Sequence, residues 1–363
     1  MQTRGAHLSY CLNVHPTRTL EDVCDNLRTY TRAVKAAVCP DRPFGLGLWL
    51  PVAAAAEVRR APELLADLLA AEDFYLFTLN GFPYGAFHGQ AVKTAVYRPD
   101  WSTPERLAYT QDLLHAMAAL LPAGVEGSIS TVPVTYGKSL PPGAIANLLA
   151  AAETARQIAA DTGKIIRLAL EPEPDCYLET TAEAIAFFDL LRAADSRADE
   201  YLGVCFDTCH LCLQREDLET AYRSLLAAGI RIPKVQISAA LRYANSGDAP
   251  AGLGAYDEPV YLHQSRVYDG DRELARYPDL GPALAANPAG DWVVHFHVPL
   301  PFTGAGALGS TADAITPAFL DLAFAHSPNL EIETYTFLVL PDPKPSMVDS
   351  IAGEFAWLRD RLG

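Results

Sequence analysis

The chain has 363 residues, half of them hydrophobic and a fifth charged, which excludes a disordered protein and leaves enough apolar residues for a full core without disulfides. Its 28 basic and 44 acidic residues give a formal net charge of −16, a field that disfavours nucleic acid and anionic membrane surfaces as partners. Seven cysteines in no paired spacing, no basic-then-apolar leader and no long apolar run predict a cytoplasmic protein without an integral membrane segment.

Strand-like and helix-like segments alternate along the chain. The first predicted strand is 8–14, ending at Asn13, His15 and Pro16, and a helix follows from Thr19, with Asp22 placed to complete a capping box. The second strand is 45–50, followed by an Ala-rich helix over 53–70 that Pro62 must kink or divide. The third is 74–79, closed by Asn80-Gly81, a turn signal. After a long loop over 82–101, Ser102 and Glu105 form a predicted capping box for a helix reaching Leu121. The fourth strand is 127–133, with a helix over 142–161. The fifth is 165–170, ending in Glu171-Pro172-Glu173-Pro174, and Thr180 and Glu183 box the next helix. The sixth is 202–206, ending in Asp207, with a helix over 215–228 that Gly229 stops. The seventh is 234–238.

Two strand-like segments remain, 292–298 and 330–336, one more than an eightfold barrel needs. The only good helix between Ser238 and Leu330 is 317–326, opened by Thr316-Pro317. A single crossover helix makes 330–336 the eighth strand. Segment 292–298 then becomes an extended piece in a long connection over 241–301, a rim loop or lid. The last helix is 346–362. Repeated βα units imply a parallel sheet, either a closed (β/α)8 barrel or an open doubly wound sheet. The first strand lacks the glycine-rich turn of a dinucleotide-binding sheet, so the expectation is α/β, one barrel domain over 1–363.

Barrel chemistry sits beyond the C-terminal ends of the strands, where charged residues gather. Glu171 ends the fifth strand, and it is preferred over Glu173 because it joins the apolar run directly. Asp207 ends the sixth, with His210 three residues on, a pair whose oxygen and nitrogen suit a divalent transition metal. Gln236 lies in the seventh, where its amide could coordinate an ion or simply be satisfied within the core. His295 and His297 share a face of an extended segment, as do Glu331 and Glu333 in the eighth strand. Of those acids Glu333 is nearer the tip and is the one chosen. The predicted metal set is therefore Glu171, Asp207, His210, Gln236, His295, His297 and Glu333, for zinc or manganese. His15, Asn80, Tyr84, His88 and Lys93 are candidate substrate contacts, with Tyr136 and Lys138 also on the rim.

Glu171 at strand five, Asp207-Thr208-Cys209-His210 at strand six, Gln236 at strand seven and Glu333 at strand eight resemble the xylose isomerase-like TIM-barrel superfamily of sugar and sugar-phosphate isomerases, epimerases and endonuclease IV-type enzymes. The segments 8–16, 80–85, 171–176, 206–210, 236–238 and 333–335 are similar, more closely, to the EboE group of metabolite traffic proteins encoded in bacterial ebo clusters. The resemblance implies that Glu171, Asp207 and Glu333 take metal-ligand positions and that Gln236 replaces a metal-binding His of many relatives. It also implies that His295 and His297 fall where the endonuclease-like branch carries an Asp-x-His pair. Partners in a metabolite-export pathway follow from the same likeness.

Three functional readings result. The first is a metal-dependent isomerase or epimerase of a small metabolite, with Glu171 and Glu333 exchanging a proton beside a carbonyl, used in processing or export of a specialised-metabolite precursor. The second is a zinc-dependent hydrolase or lyase, suggested by the extra imidazoles. The third is a metabolite-binding protein without turnover, suggested by Gln236.

Overall fold

A computed structural model describes residues 1–245, 252–304 and 306–363. Residues 246–251, part of the expected rim segment, lie outside the described residues. Eight parallel strands carry the fold: Ala6–Tyr10, Phe44–Trp49, Phe74–Asn80, Gly127–Thr131, Ile166–Leu170, Leu202–Asp207, Lys234–Ile237 and Asn329–Ile332. They are called the first to eighth strands below. Each is buried along nearly its whole length, as a strand of a parallel sheet covered on both faces is. The second to eighth follow one another in sheet order, the eighth pairs with the first, and a short strand, Gln2–Thr3, pairs antiparallel with the first. The first and second strands meet at a parallel bridge between Cys11 and Gly47, which brings the sheet round on itself. The assignment of the eighth strand holds in register, with Leu330 opposite both Leu8 and Val235.

The helices follow the caps read from the sequence, with two shifts. Thr19 with Asp22, and Thr180 with Glu183, form reciprocal capping boxes, and Thr316 caps Pro317–His326. Pro62 divides its helix into Val52–Arg60 and Glu63–Ala71. The cap expected at Ser102 is instead Thr103, because Pro104 occupies the first helical position. Ser102 turns its hydroxyl to Asp100 at 2.5 Å. The helix expected over 215–228 begins at Leu218 and ends at Ala227, and a separate short helix, Thr208–Leu213, precedes it. Arg215, at φ +57°, breaks the run between them, and Asp217 caps the second. The first strand ends at Tyr10, short of the expected Val14, since Leu12–Val14 coil into a 3-10 turn. The eighth ends at Ile332, and Tyr335–Val339 form another such turn.

The long connection after the seventh strand is largely folded. Ala239–Asn245, Ser265–Asp269, Arg272–Tyr277, Gly290–Val298 and Leu308–Ser310 make a five-stranded antiparallel sheet. Its strand Gly290–Val298, longer than the expected 292–298, lies between Ser265–Asp269 and Ala239–Asn245. The register against Ala239–Asn245 shifts between Val294 and His297. Such bulges re-aim side chains, and the histidines of this segment face the barrel.

Candidate metal centre

The carboxylates come from strand ends pinned by backbone hydrogen bonds. The Glu171 N–H donates to the Thr131 carbonyl at 3.1 Å, and the Glu333 N–H to the Ile237 carbonyl at 3.1 Å. Asp207 caps the helix Thr208–Leu213: its Oδ1 accepts the His210 N–H at 3.1 Å and the Ser238 hydroxyl at 2.7 Å. The other oxygen, Oδ2, is buried without a partner, as is Oε2 of Glu171. Oxygens of Glu171, Asp207 and Glu333 lie within 4.8 Å of one another. Glu333 is oriented through Oε1, which accepts from the Asn13 amide at 2.8 Å and more weakly from the Asn80 amide at 3.3 Å.

Three imidazoles complete the cluster, and their tautomers are set by carbonyl oxygens, which can only accept. His210 Nδ1–H donates to the Pro172 carbonyl at 2.9 Å, and His297 Nδ1–H to the Glu333 carbonyl at 3.0 Å. The Gln264 amide nitrogen donates to the Tyr97 hydroxyl and to the Pro174 carbonyl, so its oxygen is the atom 2.7 Å from His295 Nδ1, and that nitrogen is again the donor. In the neutral form of each ring Nε2 therefore carries the lone pair. Those of His210 and His295 face each other at 3.1 Å, and that of His297 is buried without a partner. Two opposed lone pairs repel unless a proton or a cation lies between them. The separation is near the roughly 3.3 Å of two imidazole nitrogens on a tetrahedral zinc. Nδ1–H bound to a carbonyl is also the usual outer support of a ligating histidine.

Nitrogen and oxygen atoms of Asp207, His210 and His297 fall within 4.8 Å of one another, as do those of Glu173, His210 and His295. Asp207 and the imidazoles thus link the carboxylate triad to a second group of donors. Burial pushes the Glu171 carboxyl up to about 7, with Asp207 and Glu173 adding to the rise against His210 and Lys234. Burial likewise drives Glu173 to about 8, against the Tyr97 hydrogen bond. It lifts Glu333 well above the carboxylate range, helped by Glu171 and Asp207. Burial also opposes ionisation of Asp207, yet His210, His297 and the hydrogen bonds on its Oδ1 hold it below the usual value. His297 is pushed down to about 4 by burial, and His295 well below its usual value by burial and the two neighbouring rings. Burial thus favours the neutral forms of His295 and His297, which present lone pairs, while the carboxylates crowd one another. The donor set fits a divalent cation.

Six of the seven predicted metal residues converge on this volume. The seventh, Gln236, is the register partner of both Asp207 and Glu331 and faces the same interior, with neither amide atom partnered. The predicted substrate contacts divide. Asn80 and Lys93 line a cavity over the cluster. The Asn80 amide is engaged with Glu333, and the Lys93 ammonium with Asp279 at 2.7 Å. His15, Tyr84 and His88 do not line it. His15 accepts from or donates to Tyr10 and stacks on Tyr30. Tyr84 packs edge-on against Tyr109, and His88 lies among Trp49, Phe87 and Tyr261. Tyr136 stacks on Tyr97, and Lys138 pairs with Glu179 and Glu183.

Several residues of the site escaped the sequence reading. Glu173, two positions beyond Glu171, faces the same cavity and accepts from Tyr97 at 2.7 Å; strand periodicity alone would have kept both. Cys209 Sγ lies near His295 and His297. Lys234 pairs with Glu331, both fully buried, so the Glu331 carboxylate already has its cation. Gly47 makes room for that carboxylate, because a Cβ there would overlap it.

No curated protein matches the sequence. Among solved structures, a xylose isomerase-like TIM barrel protein from Mycobacterium smegmatis in complex with magnesium is 14% identical, covers 100% of both chains and superimposes with a TM-score of 0.52. The IOLI protein with a bound zinc atom is 13% identical, with 98% of this chain and 97% of that one covered and a TM-score of 0.50. Likeness at this identity concerns the fold. The xylose isomerase-like TIM barrel family matches residues 52–263, more than half of the sequence, and the chain belongs to that family.

Proposed function

We propose that the protein is a metal-dependent isomerase or epimerase of a small metabolite, in a single barrel domain whose segment 241–301 supplies part of the rim. The observation that carries this reading is the pair of buried, proton-retaining carboxylates, Glu171 and Glu333, converging from the fifth and eighth strands beside three imidazole lone pairs. His210, His295, His297 and Asp207 would hold the ion, zinc or manganese, with Glu171, Glu333 and the Gln236 amide beside it. When bound, such an ion grips adjacent substrate oxygens and polarises a carbonyl. The unpartnered Oε2 of Glu171, with an affinity for protons near neutrality, takes the proton beside that carbonyl. Glu333, steadied by Asn13 and Asn80 and itself holding a proton, donates that proton to the neighbouring carbon or the opposite face. Work on a specialised-metabolite precursor, as in the EboE group, is the finer form of this proposal, with a cytoplasmic protein serving other members of an export pathway.

The test is proton exchange. Protein loaded with zinc or manganese is incubated in deuterated water with a panel of α-hydroxy ketones and polyhydroxy aldehydes, and the α-proton is followed by NMR. Metal-dependent exchange, reduced at least a hundredfold in Glu171→Gln and Glu333→Gln, is expected. Metal-loaded protein without exchange on any member of the panel would overturn the proposal. A second reading, a zinc-dependent hydrolase or lyase, draws on the nitrogen-rich group formed by Glu173, His210 and His295. Two or more zinc ions per chain would favour it.

A further inference from the structure

The cavity above the cluster has a largely apolar lining. Its floor is formed by Glu171, Glu173, Glu333, His210 and His295, with Asn13 and Asn80 beside them. Its walls are Phe82, Phe87, Val92, Val96, Tyr261 and Leu262, five of them fully or almost fully buried. The one ammonium in the wall, Lys93, is tied to Asp279 and to the Glu258 carbonyl at 3.1 Å. The two wall segments are joined: the N–H groups of Val92 and Lys93 donate to the Val260 carbonyl at 2.7 and 3.1 Å. Phe87 and Tyr261 pack with ring centroids 5.1 Å apart, and Tyr335 closes on both at 5.5 and 5.1 Å.

A polyhydroxylated sugar needs a hydrogen-bonding group for each hydroxyl it buries, since unmet polar groups are costly. This wall supplies apolar faces instead. Resting on the metal-centre proposal, we infer that the substrate is amphipathic: a chelating head of adjacent oxygens set on the carboxylate and imidazole floor, joined to an aromatic or similarly flat apolar body held between Phe87, Val96, Tyr261 and Leu262.

Two α-hydroxy ketones separate this from a sugar site. Dihydroxyacetone and 2-hydroxyacetophenone share the hydroxyl-carbonyl head, and the second carries a phenyl ring where the first has a hydroxymethyl group. Zinc uptake of the full chain is measured first, and each probe is then titrated calorimetrically into the zinc-loaded protein. The phenyl probe should bind about ten- to a hundredfold tighter, the gain expected from burying one ring. Phe87→Ala should cut that preference. Val96→Asn, at a half-buried position that leaves the core intact, should also cut it severalfold. Equal affinities, tighter binding of dihydroxyacetone, or no binding of either probe overturns the inference. Failure of the metal-centre proposal is distinguished by the zinc titration itself: protein that takes up no zinc yet prefers the phenyl probe keeps the apolar wall and loses the metal.

Discussion

Replacing Glu171 by Gln should stabilise the metal-free protein and weaken the metal-bound one. The carboxyl is raised from 4.5 to about 7 in the folded chain. Because the native value lies above the unfolded one, the native state keeps its proton longer. The associated stability is fully present below about 4.5 and lost as the pH climbs through 7. With about 1.36 kcal/mol per unit, the wild-type chain gives up about 1 kcal/mol at pH 5 and about 3 kcal/mol at pH 8 through this one group. A neutral amide of the same shape escapes that loss. Across 363 residues, a gain of about 3 kcal/mol corresponds to a rise of about 4 °C in Tm. With zinc present the sign inverts, because the variant has lost the negative charge that stands beside the ion. The affinity should fall by the roughly 10- to 100-fold that loss of an outer-shell partner costs. Thermal unfolding at pH 5 and pH 8, with chelator and with zinc, reads all four quantities. A variant less stable than wild type in chelator at pH 8, or one with unchanged zinc affinity, would refute the idea that Glu171 sits in a cluster awaiting a cation.

Glu354, buried and accepting from the Thr334 hydroxyl at 2.7 Å and the Leu300 N–H at 3.2 Å, is raised to about 7 by burial. Glu354→Gln should therefore match wild type near pH 4.5 and exceed it by up to about 3 kcal/mol at pH 8 in urea unfolding; parallel pH profiles for the two proteins would contradict this. Lys234→Met should cost about 3–5 kcal/mol by stranding the Glu331 carboxylate. Adding Glu331→Gln should restore at least half of that, and a double variant no more stable than the single one would show that the ion pair is not the cause.

The barrel was legible because its physics is local and periodic. Apolar runs ending in turn residues mark parallel strands, and Thr19, Thr180 and Thr316 mark helix starts by the hydrogen bonds their side chains accept. The carboxylate ends were legible for the same reason, since a strand tip in a barrel points at the rim. The antiparallel sheet was less so, because its strands are separated by irregular chain and pair out of sequence order. One signal went unread: Gly270-Asp271 is the two-residue hairpin turn between Ser265–Asp269 and Arg272–Tyr277. The supporting residues were the least legible. Nothing in the pattern around Tyr97 or Gln264 ties them to Glu173 and His295, some 76 and 31 positions away in the chain. Those hydrogen bonds exist only once the loop after the third strand and the inserted sheet pack over the barrel.

That packing explains why the donor atoms are poised as they are. The carboxylates and His210 belong to the barrel strands and their first turns, whereas His295 and His297 arrive on the inserted sheet. The tautomer of His297 is set by the Glu333 carbonyl, and that of His210 by the Pro172 carbonyl, so barrel backbone fixes ring protons on both units. Docking the sheet and turning the Nε2 lone pairs inward are thus a single event. A set of buried acids and imidazoles, with Nε2 of His297 and one oxygen each of Glu171 and Asp207 short of a partner, gains nothing for the fold by meeting there. The remaining core is large enough to tolerate it. What the arrangement favours is a cation shared by both units, so a bound ion should strengthen the grip of the inserted sheet on the barrel as well as complete the chemistry at its mouth.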